Sequence, residues 1–182
     1  MKNYQEITLL PTPEISSYFL WEKIFQQLHL AFVEHQNEEK KVAFGLSFPQ
    51  YSEEHPNLGY KLRVFACDEA DLERLNLSDW LDRLSDYMHL TKPRQVPEKV
   101  KYYATYKRVQ VKSSIERLAR RKARRQNLTY EEALSQLRKM KPQMTRLPFV
   151  QFKSLSSQHH FKLFIQKQCT DTAQSGYFRH MV

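Results

Sequence analysis

An α+β fold is predicted for this chain by three observations. β-prone runs and helical periodicities succeed one another in the order strand, helix, strand, strand, helix, strand through residue 111. A second, smaller α+β stretch follows, opening on an arginine-rich helical run. Finally, 182 residues with 41% hydrophobic content can build a real core, and only three glycines with 13% aromatics exclude a disordered polar chain.

The elements follow in order. Tyr4 to Leu10 is a short β-prone run ended by Pro11-Thr12-Pro13. Ser16 or Ser17 can cap a helix on which Trp21, Ile24, Phe25, Leu28, Ala31 and Phe32 recur at helical spacing. Val42 to Phe48 reads as a strand stopped by Pro49, and Tyr60 to Ala66 as the next, with a polar loop from Gln50 to Gly59 between them. Asp68 and Ser78 read as caps of a second helical region whose apolar positions are Leu72, Leu75, Trp80, Leu81, Leu84 and Met88. A proline-bearing linker from Thr91 to Pro97 leads to Val100–Val111, a Tyr- and Val-rich fourth strand. This order is the split βαβ, ferredoxin-like (βαββαβ) pattern found in RRM domains and several RNA-processing folds.

From Ser113 the character changes. Ser113 or Ser114 can cap a helix over 114–126, and Thr129 with Glu132 forms a capping-box signature for a second one to about Lys139. Leu147 to Lys153 and His160 to Lys167 read as two strands around a polar loop, Ser154 to His159. The expected division is therefore a domain over 1–111 and a smaller part over 112–182, with no internal repeat.

Charge is the strongest functional signal. Between Lys107 and Arg125 stand nine basic residues and the single acid Glu116, a net +8 out of a whole-chain +9. One concentrated basic element points to a polyanion, and nucleic acid is the first candidate. On a helix, Arg117, Arg120, Arg121 and Arg124 share a face apart from Ile115 and Leu118. Charge runs are ordinarily solvated faces, but this one has almost no acids for pairing at i,i+4, so phosphates would relieve its self-repulsion. A guanidinium fork suits phosphates and guanine edges in DNA or RNA alike.

Other candidates are individually weak. His29, among Phe25, Leu28 and Phe32, is either a core-edge histidine or a general base; RNA supplies its own 2′-hydroxyl nucleophile, so cleavage needs only positioning and proton transfer. Ser154, Ser156 and Ser157 fit ordinary turn chemistry. Phe161 can stack on a base, although the alternation Phe161, Leu163, Ile165 more often faces a core. His159-His160 lacks a ligand cluster, and Cys67 and Cys169 lack CxxC spacing, so no metal site is expected and the thiols read as buried in a reducing cytosol. The first residues show no signal-peptide apolar run and no long apolar stretch suggests a membrane span, so the cytoplasm is the expected compartment.

Taken together, several segments resemble the type I-F CRISPR repeat-processing endoribonucleases, the Csy-type branch of the Cas-six superfamily. They are Tyr4 with Pro11-Thr12-Pro13-Glu14, Leu28-His29, Gly45-Leu46-Ser47-Phe48-Pro49, and Leu58-Gly59 with Leu62-Arg63. Arg108-Val109-Gln110-Val111-Lys112-Ser113, Glu116-Arg117-Leu118, Leu147-Pro148-Phe149-Val150 with Ser154, and His160 to Ile165 complete them. Their order and spacing carry the resemblance.

The resemblance implies metal-independent, cofactor-free cleavage of CRISPR precursor RNA 3′ of the repeat hairpin, giving 2′,3′-cyclic phosphate and 5′-hydroxyl ends. His29 would be the general base and Ser154 would hold the nucleotide in line, with Ser156 assisting. Arg108 and Gln110 would read base edges, Lys112 and Ser113 would bind alongside them, and Phe161 would stack on the terminal pair. Arg117, Arg120, Arg121, Arg124 and Arg125 would line the major groove. The partners implied are the repeat hairpin, as precursor and mature guide, and the other subunits of a type I-F surveillance complex. The alternative is a non-catalytic hairpin-binding subunit of that complex, and a basic DNA-binding or ribosome-associated module is a third reading. The match departs near its end, where members carry an aromatic followed by Tyr-Gly-Leu-Ser and this chain reads Ser175 to Val182. The resemblance aligns no tyrosine with the family's active-site tyrosine; Tyr177 or His180 would be the residue nearest to it, in what would be a compact, divergent subtype.

Overall fold

The computed structural model describes residues 1–99, 103–111, 114–140, 144–153 and 159–170. The architecture is α+β with antiparallel sheets. β1 (Asn3–Leu9) runs at the centre of the first sheet, paired antiparallel to β3 (Lys61–Ala66) on one side. On its other side lie β4 (Met88–Leu90) and β5 (Arg94–Gln95), while β2 (Gly45–Ser47) pairs with β3 to give the order β2-β3-β1-β4.

Strand alternation decides what each face of that sheet does. Ile7 pairs with Leu62 and Gln5 with Val64, and these inward residues are buried. Glu6 pairs with Arg63 and Tyr4 with Phe65 on the opposite face. There the Glu6 carboxylate accepts hydrogen bonds from Lys61 Nζ at 2.6 Å and Arg63 Nε at 2.7 Å. Burial alone would raise the Glu6 carboxyl, but these two bonds and charges outweigh it and hold it below its ordinary value.

Helix α1 (Ser17–Glu34) starts where Ser16 Oγ accepts from the Phe19 N–H, and it buries Leu20, Trp21, Ile24, Phe25, Leu28, Ala31 and Phe32. The second helical region is broken. Asp68 occupies the first N-cap without a side-chain bond, and α2 (Glu69–Leu75) stops at Asn76, which takes the left-handed conformation at φ 46°. Ser78 therefore lies inside α3 (Leu77–Trp80) instead of capping it, and donates to Asn76 Oδ1 at 2.6 Å. A 3₁₀ turn over Asp82–Tyr87 ends at Met88, the first residue of β4.

The expected fourth strand is thus corrected. Its place beside β1 is taken by β4 and β5, whereas β6 (Tyr103–Val109) joins a second sheet with β7 (Phe149–Lys153) and β8 (His160–Thr170), in the order β6-β8-β7. Val150, Phe152, Leu163 and Ile165 carry this second sheet into the same core as α1. Tyr106 on β6 donates its hydroxyl to Phe48 O at 2.9 Å, and Tyr51 donates to Ile165 O at 2.9 Å.

The chain forms two compact units. Met1–Arg108 and the described residues from Leu147 onward form one unit, and Val109–Arg146 forms the other. In the second, α4 (Ile115–Gln126) packs against α5 (Tyr130–Leu137), with Ala119 and Ala133 fully buried. Both thiols, Cys67 and Cys169, are free and exposed, contrary to expectation: Cys67 follows the last residue of β3, and Cys169 lies near the exposed end of β8. Among the described residues no helix is long and apolar enough to cross a membrane.

Candidate active site and nucleic-acid interface

His29 lies one helical turn beyond Phe25 on α1, so both rings project from one side of the helix. Phe152 of β7 receives them together. Its ring stands edge-on to Phe25 at 6.2 Å between centroids and 87°, and edge-on to His29 at 6.5 Å and 85°. His29 is half-buried there, with Leu28 beside it at 1% exposure.

Pairing of β7 with β8 extends this arrangement outward. Phe152 is the direct cross-strand partner of Phe161, and the two rings stack at 5.6 Å with 14° between their planes. Phe161, Leu163 and Ile165 share the inward face as their alternation predicts, but only Leu163 and Ile165 are buried. Phe161 remains half-buried at the rim, packed on the core. Over it lies the Arg108 guanidinium, 5.9 Å from the ring centre. Partial desolvation lowers the Arg108 pKa from its usual value, though an arginine stays charged at any physiological pH.

The unit over Val109–Arg146 carries the charge. Ser114 caps α4, its Oγ accepting from the Arg117 N–H at 3.2 Å, so the second of the two serine candidates is the cap. Arg117, Arg120, Arg121, Arg124 and Arg125 are exposed and line one shallow surface recess. Among the described residues none of the five makes an ion pair; Arg120 Nε donates weakly to Glu116 O at 3.4 Å. Thr129 and Glu132 close the capping box that starts α5, and α5 packs against α4. Gln110 is exposed in the same unit. Lys112, Ser113, Ser154, Ser156, Tyr177 and His180 fall outside the described residues. Among the described residues no three His, Cys, Asp or Glu side chains converge as a metal would require.

A family model for CRISPR-associated protein (Cas_Csy4) matches residues 4–180, nearly the whole chain. The chain belongs to the Csy4 family. It is 39% identical over 166 residues to the CRISPR-associated endonuclease Cas6/Csy4 of Escherichia coli (strain UTI89 / UPEC), covering 91% of this chain and 85% of that protein. It is 36% identical over 179 residues to the CRISPR-associated endonuclease Cas6/Csy4 of Pseudomonas aeruginosa (strain UCBPP-PA14), covering 98% and 92%.

Within this Csy4-family chain, three candidates chosen from sequence (His29, Phe161 and Arg108) come together in one unit, and the five arginines come together in the other. Phe152, which joins His29 to Phe161, was not among the candidates. Its alternation in Phe149-Val150-Gln151-Phe152 marks it only as an inward strand residue, and nothing in that signal points to α1.

Proposed function

We propose that this chain is a metal-independent endoribonuclease that cleaves CRISPR precursor RNA 3′ of the repeat hairpin. Family membership supports the endonuclease, and the juxtaposition of His29, Phe152, Phe161 and Arg108 carries the mechanism. In that mechanism Phe161 stacks on the terminal base pair, and Arg108 and Gln110 reach base edges. The imidazole of His29 takes the proton of the 2′-hydroxyl beside the scissile phosphate. The 2′-oxygen then bonds to phosphorus as the 5′-oxygen leaves and gains a proton, giving a 2′,3′-cyclic phosphate and a 5′-hydroxyl. Because the RNA brings the nucleophile, positioning and proton transfer suffice. Ser154 holds the nucleotide in line with help from Ser156, and Lys112 and Ser113 bind beside them.

The arginine face of α4 enters the major groove of the short hairpin. An A-form groove is too narrow for side chains in a long duplex, but at a hairpin it is open at one end. Retention of the product hairpin makes the protein a resident subunit of a type I-F surveillance complex in the cytoplasm. The strand order β4-β1-β3-β2, with α1 and α2 as crossovers, supports a ferredoxin-like core over the first 90 residues, closed by Met88–Leu90.

Incubation of the protein with its host's repeat RNA in EDTA tests this reading. Cleavage surviving chelation, and abolished both by His29→Ala and by a 2′-deoxy nucleotide at the cut site, is the expected result. Tight hairpin binding without cleavage would establish the non-catalytic subunit instead.

A further inference from the structure

Phe152 is 5% exposed and touches three aromatic neighbours: Phe25, His29 and Phe161. The last two belong to different elements and to different roles in the proposed reaction, proton transfer and base stacking. We infer that Phe152 is a positioning residue that sets the His29 imidazole relative to the nucleotide held on Phe161, an inference that rests on the roles proposed for those two residues.

Three features of the geometry support it. Phe25 and His29 meet the Phe152 ring with nearly equal angles, 87° and 85°, so the ring fills the seat formed by one turn of α1 and limits how the imidazole can swing. Phe25 is itself locked, stacked on Phe48 at 5.8 Å with 4° between planes. On the other side the Phe152–Phe161 stack is held by the β7–β8 ladder, in which the two residues are direct partners. A displacement of Phe152 is therefore transmitted both to the imidazole and to the stacking ring. Misplacement by about 1 Å at a reacting centre slows chemistry by as much as about 100-fold.

The test compares Phe152→Leu with Phe44→Leu. Phe44 is a fully buried core ring stacked on Phe32 and absent from the His29 contact, so its loss controls for weakened packing. Phe152→Leu is expected to slow single-turnover cleavage by about tenfold or more even at saturating protein, where any change in hairpin Kd no longer affects the rate. Phe44→Leu at a matched fall in Tm should keep the wild-type rate. In free protein, the ring ¹H–¹³C signals of His29, assigned by their loss in His29→Ala, should shift in Phe152→Leu and stay in place in Phe44→Leu. Unmoved His29 signals, a wild-type cleavage rate in Phe152→Leu, or equal slowing by both variants overturns the inference. A His29→Ala enzyme that still cleaves overturns the proposed base instead, a failure visible without reference to Phe152.

Discussion

The Arg108 guanidinium lies over the Phe161 ring, 5.9 Å from its centre, so the residue expected to read a base edge and the residue expected to stack on one form a single surface. Substituting either should affect the other. Phe161→Ala should loosen hairpin binding by about 1–3 kcal/mol, roughly 5- to 150-fold, since that is the range for one base–aromatic stack. Arg108→Lys, which keeps the charge but loses the planar fork, should weaken discrimination of the stem's base pairs more than total affinity. Fluorescence anisotropy with matched and altered stems measures both.

Each exposed arginine of α4 that contacts a phosphate should contribute about one unit to the slope of log affinity against log salt. Arg120→Ala and Arg121→Ala should therefore flatten that slope stepwise. Their side chains are exposed and the helix buries Ala119 instead, so circular dichroism of the variants should match the parent. A slope that does not change would place the phosphates elsewhere.

Glu6 sets an acid limit on the stability of the first sheet. Its folded-state carboxyl is held below the ordinary value by Lys61 and Arg63, so the unfolded chain binds a proton more readily. The resulting stability is complete above the unfolded-state pKa and disappears as pH falls through the folded one. Glu6→Gln should cost about 1–3 kcal/mol at neutral pH and flatten the acid limb, as read by urea unfolding across that range.

Gly59 is a position that tolerates no side chain without strain. Its φ is +77°, and an added Cβ would collide with Gln50 Cβ. Its carbonyl also accepts the Trp21 indole N–H at 2.9 Å, which ties the loop to α1. Gly59→Ala should cost about 1–3 kcal/mol and lower Tm by roughly 2–4 °C for each kcal/mol, measurable by calorimetry.

Local chemistry was legible in the sequence wherever a signal repeated within one element. The periodicity of α1 and the Thr129–Glu132 box appear at the expected places, and the two caps fall on one serine of each expected pair, Ser16 and Ser114. Met88 was misplaced because Leu84 and Met88 keep a four-residue spacing through a 3₁₀ turn into a strand only three residues long, too short to show alternation. The sheet joined by β6 was not legible either, since strand partners are chosen by contacts distant in sequence. The same reason hid Phe152: 123 positions separate it from His29, and only the folded core brings them into contact.

The charged unit is an insertion. Residues 109–146 begin at the last residue of β6 and end before β7, the two outer strands of a sheet whose middle strand is β8. A segment spliced in between two border strands can lengthen, shorten or exchange its basic residues without rewriting the register that holds the histidine. Over evolutionary time the arginine-bearing segment can be retuned as a cassette, while the body around α1 is constrained by its packing.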